Sequence, residues 1–328
     1  MIRAAVFFLL LLTTPTTADA RCTGTDLRDR LTSAAETRLQ QEIARTPFAY
    51  GNHWVATKNG RRIHVVGTQH SGDRRMRPIM RGLRPIIRAA DAVLLEVTKA
   101  EMGKLDKVIK QDPSIMLMPK GRTLPDLMSP SDWKTLQTRM RPEDIDTEIL
   151  ARLQPWYISM ALSQSGCGGR GIAAYTGLDE RIENLAVRSG VPVGSLEGVG
   201  DGMRALSSQP VRDQLKLLEL DMKSELNFDD QVVTMGKAYF QERLAEAMLI
   251  QKWTMYRDID IPRREVSRLL DQYDRQILDR RNRAWMPVIN RTKGQVVVVA
   301  VGAAHLPGKT GILNLLKQQG YELNRAEF

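Results

Sequence analysis

The stretch Val296-Val-Val-Val-Ala-Val-Gly-Ala-Ala-His-Leu306 decides the fold. Its four consecutive valines, framed by Gly294 and Gly302, are too few to cross a membrane and too β-branched for a comfortable helix. Such a run reads as a central strand covered on both faces, as in a parallel α/β sheet. At its carboxyl end Gly302 permits a sharp turn that carries His305 to the mouth of the sheet, where open α/β folds place their ligands. The same design stands earlier, in Ile63-His-Val-Val-Gly-Thr-Gln-His70. The chain has only four histidines, and two of them close a strand-Gly-x-x-His unit. An α/β fold follows, with a central mixed β-sheet built from the two units and a large helical insertion between them. His70 and His305 become candidate site residues.

Around these units the elements read as follows. Trp54-Val-Ala-Thr and Arg62-Ile-His-Val-Val-Gly form two strands joined through Asn59-Gly60, a strong hairpin signal. His53 and His64 fall in this hairpin and read as packing or hydrogen-bonding residues. Asp91-Ala-Val-Leu-Leu-Glu96 is a further strand whose carboxylate emerges where the apolar run stops; it either caps the next helix or faces the site. Gly177 to Ser189 reads as a helix, and Val191 to Glu197 as the strand after it. Residues 25 to 45 read as one helix. Residues 73 to 90 form another, with Met76, Ile79, Leu83 and Ile87 on its apolar side and a bend at Pro85. Arg77, Arg81, Arg84 and Arg88 lie opposite, as a solvated face or as a ridge in which Arg77 and Arg81 steer an anionic substrate group. Residues 101 to 165 are a helical insertion over the sheet, and residues 203 to 292 a set of helices broken at Pro210, near Asn227 and at Pro262. A helix from Gly311 to Gln319 and a short strand from Tyr321 complete the chain. Ser165-Gly-Cys-Gly-Gly-Arg-Gly171 lacks the Gly-Lys-Ser/Thr ending and the preceding strand of a phosphate-binding loop, which excludes a nucleotide site.

Residues 1–20 have the layout of a signal peptide: Arg3, an apolar core from Ala4 to Leu12, and a small-x-small site at Ala18-Asp-Ala20. This predicts a secreted, periplasmic protein with no stable membrane span after cleavage and a single domain over 21–328. The two cysteines, Cys22 and Cys167, both lie in the exported part, which favours a disulfide between them. The net charge of +10 suits anionic surfaces, but aromatic residues are few, no nucleic-acid module occurs and export removes that partner, so nucleic acid is excluded.

His64-Val-Val-Gly-Thr-Gln-His70, the Leu94-Leu-Glu96 strand end, Arg281-Asn-Arg-Ala-Trp285 and Val299-Ala-Val-Gly-Ala-Ala-His-Leu-Pro-Gly308 together resemble the TraB/GumN family. That family belongs to the superfamily of the Tiki proteases and the haem-binding ChaN proteins. The resemblance implies a metal-centred, hydrolase-like site in which His70, Glu96 and His305 hold a divalent cation (Mn, Co, Zn or Fe). It places Arg281 and Asn282 beside that site, Arg281 among the catalytic candidates and Asn282 in support of the ligands. Glu197 is a further catalytic candidate, and it or Asp73 supplies a general base. Where the family follows its second Leu-Glu with an acidic residue and Gln, this chain has Asp201-Gly202. Two imidazoles and a carboxylate leave open positions on a cation for water and substrate. The implied function is an exported metal-dependent hydrolase, peptidase-like, acting on a peptide or small-molecule substrate. The alternatives are a haem- or iron-binding envelope protein and a non-catalytic envelope assembly factor.

Overall fold

The structure is a computed structural model that describes residues 24–70, 72–163, 176–223, 228–255 and 261–328. The expected signal peptide and both cysteines of the expected disulfide lie outside the described residues.

Six strands, β1 (His53–Lys58), β2 (Arg61–Thr68), β3 (Ala92–Leu95), β4 (Val193–Ser195), β5 (Val296–Gly302) and β6 (Glu322–Arg325), form one sheet in the order β4-β3-β5-β2-β1-β6. β4, β3, β5 and β2 run parallel, whereas β1 is antiparallel to both β2 and β6. The hairpin between β1 and β2 closes with Lys58 opposite Arg61. Asn59 and Gly60 between them have φ of 49° and 80°, the left-handed pair that a two-residue turn of this twist requires.

β5 comes late in the chain yet sits in the centre, between β2 and β3. Its valines explain the position, because both faces of the strand are covered. Val297, Val299 and Val301 pack into one core with Trp285, Met286, Ile289, Ile312 and Leu316, while Val298 and Ala300 pack into another with Met76, Ile79, Leu83, Ile87 and Ile182. The alternation follows the two-residue period of a strand. A helix layer therefore lies on each side of the sheet.

In chain order the helices are α1 (Ser33–Ala44), α2 (Met76–Arg88), α3 (Lys99–Met102), α4 (Leu105–Gln111), α5 (Leu124–Leu127), α6 (Pro130–Met140), α7 (Thr147–Leu150) and α8 (Pro155–Ser163). There follow α9 (Leu178–Arg188), α10 (Val199–Ser207), α11 (Val211–Lys223), α12 (Phe228–Phe240), α13 (Leu244–Thr254), α14 (Arg263–Asp274), α15 (Arg280–Arg291) and α16 (Ile312–Gln318).

Three local expectations change. The expected helix over 25–45 is two pieces, a 3-10 turn at Leu27–Arg30 and α1, because Thr32 turns extended and accepts a hydrogen bond from the Ala35 amide. An additional break falls between α12 and α13 at Glu242, whose φ is +57° and which nothing in composition marks as a terminator. The insertion, expected over the sheet, joins neither of the cores on the sheet faces: Met118, Leu124, Leu136, Met140, Leu150 and Ile158 build a separate core with Leu215, Leu218 and Met222 of α11. α2 forms as expected and continues through Pro85, with Arg77, Arg81, Arg84 and Arg88 exposed along its outer side. Among the described residues no helix is long and apolar enough to cross a membrane.

Candidate functional site at the carboxyl edge of the parallel strands

Because β2, β3, β4 and β5 run in one direction, the residues just beyond them gather along one edge of the sheet. Glu96 follows β3, Glu197 follows β4 by one residue, and His305 ends the 3-10 turn Ala303–His305 after β5. Backbone pairing continues past the strands, with Leu196 N–H donating to Leu95 O at 2.8 Å and Glu197 N–H to Glu96 O at 3.2 Å, so the two carboxylates leave the sheet side by side.

α15 closes the site from above. Its entry is a π-helical stretch, Arg275–Asp279, that joins α14 to α15 and resets which face of the helix meets the sheet. Arg281 and Trp285 are one turn apart there, with the guanidinium 4.8 Å from the indole centroid. Arg281 Nη2 donates to Glu96 Oε2 and to Glu197 Oε1, each at 2.6 Å, and Nε donates to both Glu197 oxygens at 3.0 and 3.1 Å. Trp285 Nε1–H donates to Glu197 Oε2 at 2.9 Å, and the Gly302 amide to Glu96 Oε1 at 2.6 Å. The side chains of Arg281, Glu96 and Glu197 are 16%, 17% and 7% exposed, so these are strong charge-assisted contacts in a largely dry setting.

The Asn282 amide fixes the His305 tautomer. Its Nδ2 donates to the carbonyls of Thr310 and His305 at 3.0 and 3.3 Å, which leaves Oδ1 as an acceptor for His305 Nδ1–H at 2.6 Å. His305 Nε2 is therefore an acceptor: it takes a hydrogen bond from Arg281 Nη1 at 3.4 Å and lies 3.7 Å from Glu96 Oε1. Burial pushes the His305 pKa down to about 4, so the ring is neutral near pH 7. Burial also raises the Glu96 carboxyl, but the surrounding His305, Arg281 and His70 outweigh it and bring it down to about 2. Two carboxylates thus share one guanidinium, and the cluster is one positive charge short of neutral.

His70 stands apart. It lies two residues beyond β2 with its side chain 72% exposed, and its Nδ1 is 3.3 Å from Asp179 Oδ2, near the start of α9. The hydrogen bond and charge of Asp179 push the His70 pKa up to about 9. Its charge is still felt at Glu96 and at His305.

The donor chemistry can be tested against a divalent ion. Glu96 Oε1 and the unprotonated His305 Nε2 face one another at a spacing that suits two ligands of one cation, and the excess negative charge favours it. No group of three or more His, Cys, Asp and Glu side chains among the described residues is close enough together to hold a metal ion. Two of the three expected ligands are assembled; the third is held by Asp179.

The family model for TraB/PrgY/gumN proteins matches residues 52–325, from the first strand of the hairpin to the end of the sheet. The chain belongs to the TraB/PrgY/gumN family. Among similar proteins, the uncharacterized protein YbaP of Escherichia coli (strain K12) is 24% identical over 278 residues, covering 81% of this chain and 94% of the relative. The YbaP of Shigella flexneri matches to the same extent.

Within this family member, the structure brings Glu96, Glu197, Arg281, Asn282 and His305 together and leaves His70 at the adjoining turn. Arg77 and Arg81 lie on the exposed side of α2. Asp73 pairs with Arg75 at 2.7 Å, which engages the carboxylate considered as a general base. His53 and His64 hydrogen-bond each other at 3.1 Å, and His53 Nδ1 also meets Glu327 O at 2.7 Å, the structural role expected of them. Asp201, the acidic residue before the position where the family pattern departs, faces the helix: it accepts from the Gly198 amide and pairs with Arg204. Its neighbour Gly202 matters more, since a Cβ there would lie 2.9 Å from Glu197 Oε1. Sequence reasoning missed two residues. Trp285 was only part of a motif, although an indole four residues after Arg281 was a usable signal. Asp179 lies in Gly177-Leu-Asp-Glu, a stretch that resembles the family, but its contact with His70 carries no local signal because the two are more than a hundred residues apart.

Proposed function

We propose that this protein is an exported, metal-dependent hydrolase with peptidase-like chemistry. The observation that carries the reading is the pairing of an unprotonated His305 Nε2 with Glu96 Oε1 at 3.7 Å inside a cluster short of one positive charge. Glu96 and His305, joined by His70 once its ring gives up a proton, would hold a divalent cation, which when bound lowers the pKa of water and polarises a carbonyl. The chain's own groups supply the rest. Asn282 keeps the His305 lone pair directed into the site. Glu197, itself held by the Trp285 indole, fixes the Arg281 guanidinium beside the reacting position, where its N–H groups are shared among Glu197, Glu96, the Ile277 carbonyl and His305 Nε2. Burial of His305 and Glu197 limits water and strengthens each of these interactions. Arg77 and Arg81 attract anionic groups of the substrate toward this edge.

Titration of the purified protein lacking residues 1–20 with Mn, Co, Zn and Fe(II) tests the reading, with a panel of unstructured peptides as hydrolysis substrates. One ion should bind per chain, and His305→Ala and Glu96→Gln should each abolish binding and hydrolysis while the far-ultraviolet circular dichroism is unchanged. Haem titrated in parallel should not compete. Wild-type protein that binds none of these ions, or binding indifferent to both substitutions, would remove the proposal.

A further inference from the structure

The two histidine turns are supported in the same way by residues far apart in the chain. His305 is held at Nδ1 by Asn282 Oδ1 at 2.6 Å, from the first turn of α15. His70 meets Asp179 Oδ2 through the same ring nitrogen at 3.3 Å, from the first turn of α9. We propose that Asp179 is a positioning residue for His70: its carboxylate holds the imidazole through Nδ1 and so keeps Nε2 directed to the site. This rests on the reading of His70 as a member of that site.

Three observations carry the assignment. A backbone clamp delivers Asp179, because Leu178 N–H donates to Gln69 O at 3.0 Å and ties the start of α9 to the turn that bears His70. The approach is close enough to require glycine: a Cβ on Gly177 would lie 2.6 Å from His70 Cα and 2.7 Å from Gln69 O, both backbone atoms. Finally, Asp179 Oδ1 is buried without a hydrogen-bond partner while Oδ2 faces His70. An acidic residue placed only to complement the helix dipole would keep its oxygens in water, as desolvating a carboxylate is costly. Glu180 already serves the first turn of α9, where it pairs with Lys99 at 2.6 Å.

The pattern has a chemical logic. A histidine that offers one nitrogen to a cation is oriented by a hydrogen bond at the other, and losing that partner lowers metal affinity by about 10- to 100-fold. A carboxylate can only accept, so it fixes the donor at Nδ1 without ambiguity. The chain uses an amide for the buried His305 and a carboxylate for the exposed His70.

The test compares Asp179→Ala, Asp179→Asn and wild-type protein lacking residues 1–20. Calorimetric titration with Mn or Zn alone should show an affinity loss of about 10- to 100-fold for Asp179→Ala and a smaller one for Asp179→Asn, which retains an acceptor oxygen. Crystal structures of the metal-free proteins give the second readout: the His70 ring should leave its wild-type orientation in Asp179→Ala and keep it in Asp179→Asn, with His305 unmoved in both. An unchanged His70 ring in Asp179→Ala overturns the proposal. So does equal affinity loss in the two variants, which a merely structural role would produce. If Asp179→Ala fails to fold, the Asp179→Asn structure decides, since a ring displaced despite the retained acceptor also overturns it. A wild-type protein that binds neither metal, with the His70 ring moving as expected, leaves the positioning role standing and removes the metal reading alone.

Discussion

Replacing Arg281 by methionine probes the charge cluster most directly. The substitution roughly conserves volume but leaves Glu96 and Glu197 facing one another, with the Gly302 amide at 2.6 Å and the Trp285 indole at 2.9 Å as their remaining donors. All three charged side chains are less than a fifth exposed, so solvent compensates little. Removing one partner of a buried ionic group costs about 3 to 5 kcal/mol, a large share of the roughly 5 to 15 kcal/mol that stabilises a typical domain. Glu197→Gln should cost less, about 1 to 2 kcal/mol, because Arg281 keeps Glu96 and only one charged acceptor is lost. The double variant should be more stable than the sum of the two singles by about 1 to 3 kcal/mol, since each substitution relieves the imbalance left by the other. Urea midpoints at constant m-value measure all three. Saturating Mn should recover part of the Arg281→Met loss, as a cation then faces two carboxylates; at a hundredfold excess over Kd the gain is about 2.7 kcal/mol. A single-variant cost below about 1 kcal/mol, or a cycle additive to within about 0.5 kcal/mol, would refute the reasoning.

Gly202→Ala places a Cβ 2.9 Å from Glu197 Oε1, a movable side-chain end, inside α10. The gain in helix propensity of about 1 kcal/mol offsets that contact, so the urea midpoint should barely shift while metal affinity falls as Glu197 and Arg281 are displaced; unchanged affinity by calorimetry would sink the idea. Asp221 on α11 is the pH-sensitive group away from the site: burial, opposed by Ser159 and Arg139, pushes its carboxyl from 3.8 up to about 6. Folding therefore favours its protonated form, and its stabilising contribution is complete below about 3.8 and lost as pH rises through about 6. Asp221→Asn should accordingly stabilise the protein at pH 8 by about 1 kcal/mol or more and change it little at pH 4, and equal effects at the two pH values by urea denaturation would contradict this.

The strands were legible because their signals are local. Valine runs, the Asn59-Gly60 turn and the apolar side of α2 each declare themselves within a few residues, and short-range sterics and hydrophobic periodicity decide them. The break at Glu242 escaped for the opposite reason. A left-handed residue there is imposed by how α12 and α13 pack, with Arg325 pairing to Glu242 from the far end of the chain. The helical insertion was visible as helices, yet its partnership with α11 joins segments far apart in the chain, such as Met118 and Ile158 with Leu218.

The sequence by itself determined the α/β class, the family, the candidate residues and their place at strand ends, because strand direction and a following glycine turn are read from neighbours in the chain. Only the tertiary structure decided how those residues are disposed. Inserting β5 between β3 and β2 brings Glu96 and His305 to one edge, and the π-helical entry to α15 lays Arg281 across Glu96 and Glu197. It also separates two histidines that look equivalent in sequence: His305 is buried and neutral against an amide, whereas His70 is exposed and paired with Asp179. Charge balance, tautomer and burial depend on groups that meet only after the chain folds, so no local pattern encodes them.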